Sequence, residues 1–307
     1  MFKLIFFVFS LMIMSTPSNG SDIREIVVPF STGGLTSTFG RIVQQYLKED
    51  VRIETILINK AGADGIIGAR YANEQTSNSR LLVVSSGFMI NFIMYDKLGY
   101  EHSDFDIVAP MTISPAVLVV SNKSNITSMT GFINEARTRP LNCGVSNSAA
   151  LFVAKYIIKQ IGLTTIEIIN FKGGGELSAA LLGGVIDCAF DTLQSSYEVH
   201  RVNKSKIIAV ASKTAHRLVP NAVLFNEYVT GFNFNFWTGI AIPKSNSDPD
   251  KYYIMSKLKK LTQTPGYKEK LNYLNLDIAV PEENGIRFVG REIKQFELIR
   301  QQLNVVN

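Results

Sequence analysis

The sequence predicts an α/β protein of two hinged domains, and three observations carry that prediction. Short apolar runs alternate with helical apolar spacing along most of the chain, the alternation that builds parallel sheets covered by helices. These runs empty repeatedly into small, polar, glycine-containing loops. The alternation also breaks and restarts twice, so that residues 21–118 and 239–307 are expected to form one domain and residues 119–238 the other. At 307 residues the chain exceeds the usual extent of one hydrophobic core.

Residues 1–20 stand apart from this pattern. Lys3 precedes an apolar run over residues 4–14, and Ser18 and Gly20 supply small residues for cleavage after Gly20, as in a secretory signal peptide. A membrane anchor is the alternative reading, but the run is shorter than the roughly 20 residues a span needs. No cysteine follows it for lipid attachment, and no later stretch has eighteen uninterrupted apolar residues. The mature protein is expected to be soluble and, in a Gram-negative source, periplasmic.

With 46% hydrophobic and 19% charged residues, the composition is that of a globular chain rather than a disordered one. Cleavage after Gly20 removes one lysine and no acid, so the formal charge falls from +5 to +4. The basic residues are scattered apart from Lys257, Lys259 and Lys260, which argues against a nucleic-acid groove.

In the first domain, residues 25–30 read as a buried strand, and Phe39, Ile42, Val43, Tyr46 and Leu47 then recur at helical spacing. Between them Phe30-Ser31-Thr32-Gly33-Gly34 forms a turn that presents unpaired backbone N–H groups at a helix start. Residues 53–58 repeat the strand, end in a turn containing Gly62, Ala63, Asp64 and Gly65, and lead into a helix at 66–72. A third strand at 81–84 empties into Ser85, Ser86 and Gly87. Residues 116–120 form a fourth strand, followed by a polar turn and a helix at 129–137 that Pro140 stops.

The middle third restarts the series, with strands at 142–145, 166–171, 186–190 and 207–211 and helices at 149–161 and 176–182. Its loops are Ser146-Asn147-Ser148, Lys172-Gly173-Gly174-Gly175 and Asp191-Thr192. Residues 232–242, around the single Trp237, make the return crossing. Helices at 250–262, 267–274 and 282–303 are expected to pack back on the first domain.

Catalytic motifs are sparse. There is no Gly-x-Ser-x-Gly elbow, His-Glu-x-x-His helix or Walker lysine, and Gly62, Gly65 and Gly68 lack the spacing of a dinucleotide fingerprint. His102, His200 and His216 lie in polar or connecting stretches and are expected at the surface. Cys143 and Cys188 lack metal-ligand spacing; in an oxidising compartment they form a disulfide or remain buried thiols. Asn122, Asn125 and Asn203 begin glycosylation sequons that turn chemistry explains. Lys172 reads as an anion contact or a solvated rim residue. Asp64 opposes an anionic ligand and reads as a cap on its own helix or as a partner for a ligand amine, the cap being preferred.

Three stretches carry a resemblance. Residues 26–34 look like a strand ending in Pro-Phe-Pro-x-Gly-Gly, and residues 59–69 look like Asn-x-x-Gly-Ala-Gly-Gly-x-x-Gly-Ala. Residues 171–175 followed by 182–187 are similar to Tyr-Lys-Gly-Gly-Gly leading to Leu-Gly-Gly-x-Val-Asp. In this order they resemble the substrate-binding proteins of tripartite tricarboxylate transporters, the Bug-type periplasmic receptors, over nearly all of the mature chain.

The resemblance implies a periplasmic-binding-protein (Venus-flytrap) fold with two crossing strands, no catalysis and no cofactor. It implies a small organic carboxylate, whether a di- or tricarboxylate, an amino acid or an aromatic acid, held largely by backbone groups and ordered water. By position, Phe30, Ser31, Thr32, Gly33, Gly34, Gly62, Ala63, Asp64, Gly65, Ser85, Ser86 and Gly87 supply the first domain's share of the site. Ser146, Asn147, Ser148, Lys172, Gly173, Gly174 and Asp191 face them from the second. Ser31 replaces the motif's second proline, Ser37 an acid often found after the glycines, Asp64 a usual glycine, and Ala150-Leu151-Phe152 a common Ser-His-Leu. These departures bear on ligand identity rather than on the fold. The implied partners of a monomeric receptor are membrane permease subunits, with no nucleic acid. The alternatives are a ligand sensor presenting its closed form to a sensor kinase, and a periplasmic hydrolase or isomerase using Lys172, Asp191 or a histidine.

Overall fold

The computed structural model describes residues 23–32, 35–74, 80–245, 251–279 and 285–303. The expected signal peptide, Gly33 and Gly34 lie outside the described residues. The first lobe begins with β1 (Arg24–Val28), α1 (Leu35–Glu49), β2 (Thr55–Asn59), a 3-10 turn (Ala63–Gly65), α2 (Ile66–Asn73), β3 (Arg80–Ser85) and α3 (Ser86–Met94). β4 (Phe105–Ser121) then crosses to the second lobe: α4 (Met129–Thr138), β5 (Leu141–Val145), α5 (Ser148–Ile161), β6 (Ile166–Asn170), α6 (Gly174–Gly183), β7 (Cys188–Thr192), α7 (Leu193–Arg201), β8 (Ser205–Val210) and β9 (Val223–Leu224). β10 (Asn235–Pro243) returns, followed by α8 (Lys251–Leu261), α9 (Pro265–Tyr273), β11 (Asp277–Ile278) and α10 (Gly285–Leu303).

The crossing strand is far longer than the apolar run at residues 116–120. Its N-terminal part carries Asp106, Thr112 and Ser114 among apolar neighbours, which breaks the run in sequence but not the ladder. α3 and α7 are also additions to the sequence reading. α3 is buried on nearly all sides and so shows no amphipathic stripe, while α7 buries only Leu193 and Ser196. Ser86 and Gly87 therefore stand in the first turn of a helix, and Asp191 and Thr192 close a strand.

The described strands form one mixed sheet in the order β2-β1-β3-β10-β4-β7-β5-β6. β1 pairs in parallel with β2 and β3, and β5 in parallel with β6 and β7. β4 joins the halves: residues 105–115 pair with β10, and residues 116–121 pair antiparallel with β7 and β8. The partner exchange falls at Pro115 and Ala116.

Helices cover both faces. α1, α8 and α9 seal one face of the first lobe through Phe39, Ile42, Leu258 and Leu271, and α6 and α7 seal one face of the second through Leu177, Leu181 and Leu193. Each such fully buried side chain contributes about 1.5–3 kcal/mol. The remaining core runs without interruption from Val27 and Phe88 to Phe152, Trp237 and Phe296. α10 is the reason: Phe296 packs against Phe152 of α5 and Phe234, and Phe288 packs edge-on against Trp237 at 5.0 Å. The C-terminal helix thus touches both lobes, not the first alone.

Two covalent or ionic ties reinforce the layers. Cys143 and Cys188 lie opposite each other on β5 and β7, with Cα atoms 4.6 Å apart, and form a disulfide. In the first lobe, buried Arg80 Nε meets Glu25 Oε2 at 2.9 Å, and the Tyr71 hydroxyl donates to the same oxygen at 2.9 Å.

Candidate functional site

The carboxyl ends of β1, β3, β5 and β7 open on one cavity of about 370 Å³ between the lobes. That is where an open parallel sheet places ligands. From the first lobe Phe30, Ser31, Thr32, Ser85, Ser86 and Gly87 line it; from the second come Ser146, Asn147, Lys172, Gly173, Gly174 and Asp191. These are twelve of the nineteen residues expected from the sequence. Gly33 and Gly34 lie outside the described residues, and the other five, Gly62, Ala63, Asp64, Gly65 and Ser148, are not on the cavity wall.

Five helices in the described residues begin at this cavity, and four of them, α3, α5, α6 and α7, differ in what their first turns still offer. At α5 the Asn147 side chain accepts from Ala150 N at 2.9 Å. At α7 the Thr192 hydroxyl accepts from Ser195 N, and the Ser114 hydroxyl accepts from Gln194 N. α3 and α6, one from each lobe, carry no side-chain cap. Their first turns hold Gly87 and the pair Gly174 and Gly175. A Cβ placed at Gly175 meets no atom within 4 Å, and at Gly174 the nearest is Ser195 Oγ at 3.8 Å, so these backbones are open to close approach. Two uncapped helix N-termini favour negative charge at two separate walls.

The charged side chains temper that field. Lys172 is exposed, and its backbone N–H donates to Glu176 Oε2 at 2.9 Å. Asp191 is only 7% exposed and accepts from the Ser196 hydroxyl at 3.1 Å. Burial pushes its carboxyl up to about 6, against the lowering effect of hydrogen bonds from Thr192 and Ser196. Asp191 therefore takes up a proton in mildly acidic solution.

Part of the wall is apolar. Phe30, Leu35, Phe236 and Trp237 line it, and Trp237 is held by two bonds: its indole N–H donates to Glu292 Oε2 at 2.8 Å and its backbone N–H to the Ser86 hydroxyl at 3.0 Å. On the crossing strands, Thr238 Oγ1 lies 2.6 Å from Thr112 Oγ1.

Asp64 differs from its expected role. It does not cap α2, whose N-cap is Gly65 and has no side-chain cap. Ala63, Asp64 and Gly65 all have positive φ, and this turn directs the Asp64 carboxylate to the second lobe, where Oδ2 accepts from Ser148 N at 3.1 Å. Asp64 and Gly65 border a separate void of about 10 Å³ that also touches Phe30, Ser85 and Asn91.

Several wall residues escaped the sequence reading. Thr36, Ala149, Glu176 and Ser195 belong to the first helical turn after an expected loop, so extending each loop by one turn finds them, and Gly175 ends an expected loop without having been named as a site residue. Phe236, Trp237 and Thr238 sit on the return crossing, which must pass the cleft. No histidine lines the cavity. His102 is exposed as expected, whereas the His216 ring is only 10% exposed and lies 2.8 Å from Asp277 Oδ2. Among the described residues no group of three or more His, Cys, Asp or Glu is placed to hold a metal, and no helix is long and apolar enough to cross a membrane.

Known proteins share this sequence pattern and this fold. A family model described as the tripartite tricarboxylate transporter family receptor matches residues 39–305. Protein BugT of Bordetella pertussis is 23% identical over 242 residues, covering 76% of this chain and 74% of that one. A Rhodopseudomonas palustris structure, MatC with bound malate, superposes with a TM-score of 0.79 at 22% identity, covering 90% of this chain and 98% of the other. A second, R. palustris Rpa4515 with adipate, gives a TM-score of 0.83 at 22% identity, covering 92% and 98%.

Proposed function

The chain belongs to the tripartite tricarboxylate transporter receptor family, and from that premise we propose that it is a periplasmic receptor that captures a small organic carboxylate and delivers it to a membrane permease. The observation that carries the proposal is the pair of uncapped helix N-termini, α3 and α6, on opposite lobes of one cavity walled by Phe30, Leu35, Phe236 and Trp237. Backbone donors at each end and apolar surface between them suit a short carbon chain bearing carboxylates. Malate and adipate, each bound in a protein of the same fold, have that form.

In this reading the nineteen residues named from the sequence, Gly33 and Gly34 included, form or support the site. Residues 21–118 and 239–307 move against residues 119–238, and β4 and β10 are the hinge. A ligand touching both lobes favours the closed form, which the permease reads. Residues 1–20 direct export. The cavity serves binding, with no bond made or broken.

A thermal-shift panel on residues 21–307 tests this. A ligand at 100 times its Kd stabilises by about 2.7 kcal/mol. Carboxylates are expected to raise the midpoint, and their methyl esters are not. The single tryptophan lies on the cavity wall, so the same compounds should change Trp237 emission. Stabilisation by esters alone refutes the carboxylate reading; stabilisation with unchanged emission places the site elsewhere.

A further inference from the structure

Asp64 belongs to the first lobe, yet its side chain completes a helix of the second. Oδ2 accepts from the backbone N–H of Ser148, the first residue of α5, at 3.1 Å. Its own backbone carbonyl accepts from the Asn91 side chain on α3 at 3.0 Å, so the carboxylate projects from an anchored turn. That turn is conformationally demanding. Ala63 and Asp64 have φ values of 45° and 54°, a region that residues other than glycine enter uncommonly and that Asp tolerates better than most. The lobes are in close approach here, since a Cβ at Gly87 of α3 stands 3.5 Å from Ser148 Oγ.

We propose that Asp64 is a built-in carboxylate latch: it occupies the N-terminus of α5 from across the cleft, holds the lobes together before ligand arrives, and thereby sets the receptor's affinity. The proposal rests on the two-lobe closure described above. A carboxylate on a helix N-terminus is attracted by the dipole and forms a charge-assisted hydrogen bond, and this one exists only while the lobes touch. Apparent affinity scales with the fraction of molecules already competent to bind. The latch also fills the anion-binding capacity of α5, which leaves α3 and α6 for the ligand.

Burial raises the Asp64 carboxyl above its ordinary value, against hydrogen bonds from Ser148. The ionisable groups that interact with it are Tyr95 and Tyr100, both pushed up by burial and so neutral near pH 7, and Arg70 stands by Tyr100.

The test is the lobe separation in the ligand-free chain, read by pulsed electron paramagnetic resonance between spin labels at Arg41→Cys on α1 and Ala179→Cys on α6, both exposed. At pH 8 the Asp64→Gly variant, which accepts the turn without strain, should shift tenfold toward the longer distance, and Asp64→Asn, which keeps an acceptor, by less. Adipate or malate, if either shifts the wild-type midpoint, should bind the Gly variant about tenfold more weakly. Two distances in equal proportion in wild type and Asp64→Gly overturn the latch alone. A single distance in every variant, with and without carboxylate, overturns the hinge reading and the latch with it.

Discussion

Replacing Asp191 by Asn tests how the cavity handles charge. Asp191 is largely buried at the cavity wall, and burial moves its carboxyl from 3.8 to about 6. That difference corresponds to about 3 kcal/mol between its protonated and ionised forms. Between about pH 4 and 6 the folded protein holds the proton more tightly than the unfolded chain, so stability falls as pH rises through this window and levels off above it. The Asp191→Asn variant retains an acceptor for the Ser196 hydroxyl and has no charge to bury. It should therefore match the wild type near pH 4 and exceed it by up to about 3 kcal/mol at pH 7.5, roughly 5–10 °C in melting temperature for a chain of this size. Scanning fluorimetry of both proteins across pH 4–8 measures the difference directly. An offset that does not change with pH refutes the reasoning, because a packing defect has no titration. Since Asp191 also faces the ligand, carboxylate affinity in the wild type should weaken above pH 6 and flatten in the variant.

Three further outcomes follow from other features. Arg80→Met leaves Glu25 buried without its cation and should cost about 3–5 kcal/mol in urea denaturation. Cys143→Ser with Cys188→Ser removes a link closing a long loop and should lower stability by about 2–4 kcal/mol. Gly175→Val adds side-chain bulk where a Cβ meets nothing, so carboxylate affinity by calorimetry should fall at least tenfold with unchanged circular dichroism.

The strand and helix order was legible because most elements bury one stripe or face, and that burial writes a period into the sequence. Where burial is complete the period vanishes, and α3 went unread for that reason. Loops at strand ends were legible from composition, and Ser31, Gly87, Asn147 and Lys172 all reach the cavity wall. What composition does not encode is direction. Asp64 sits in a loop of the expected kind, but consecutive left-handed residues turn it across the cleft, and no neighbour in sequence announces Ser148. Phe236 and Trp237 were read as a crossing strand, and only its antiparallel pairing with β3 and β4 brings them to the ligand's side.

The helix that closes the core comes last in the chain. Phe296 and Phe288 of α10 cover Phe152 in the second lobe and Trp237 on the crossing strand, so residues made early stay uncovered until residues near 300 exist. A chain that lacks its last helix can pair its strands but has no means of finishing the join between its halves. Folding is thereby deferred until the C-terminal helix is present, with contacts spanning long stretches of the sequence. A fragment ending before Gly285 should expose aromatic surface and bind hydrophobic dyes, where the full chain does not.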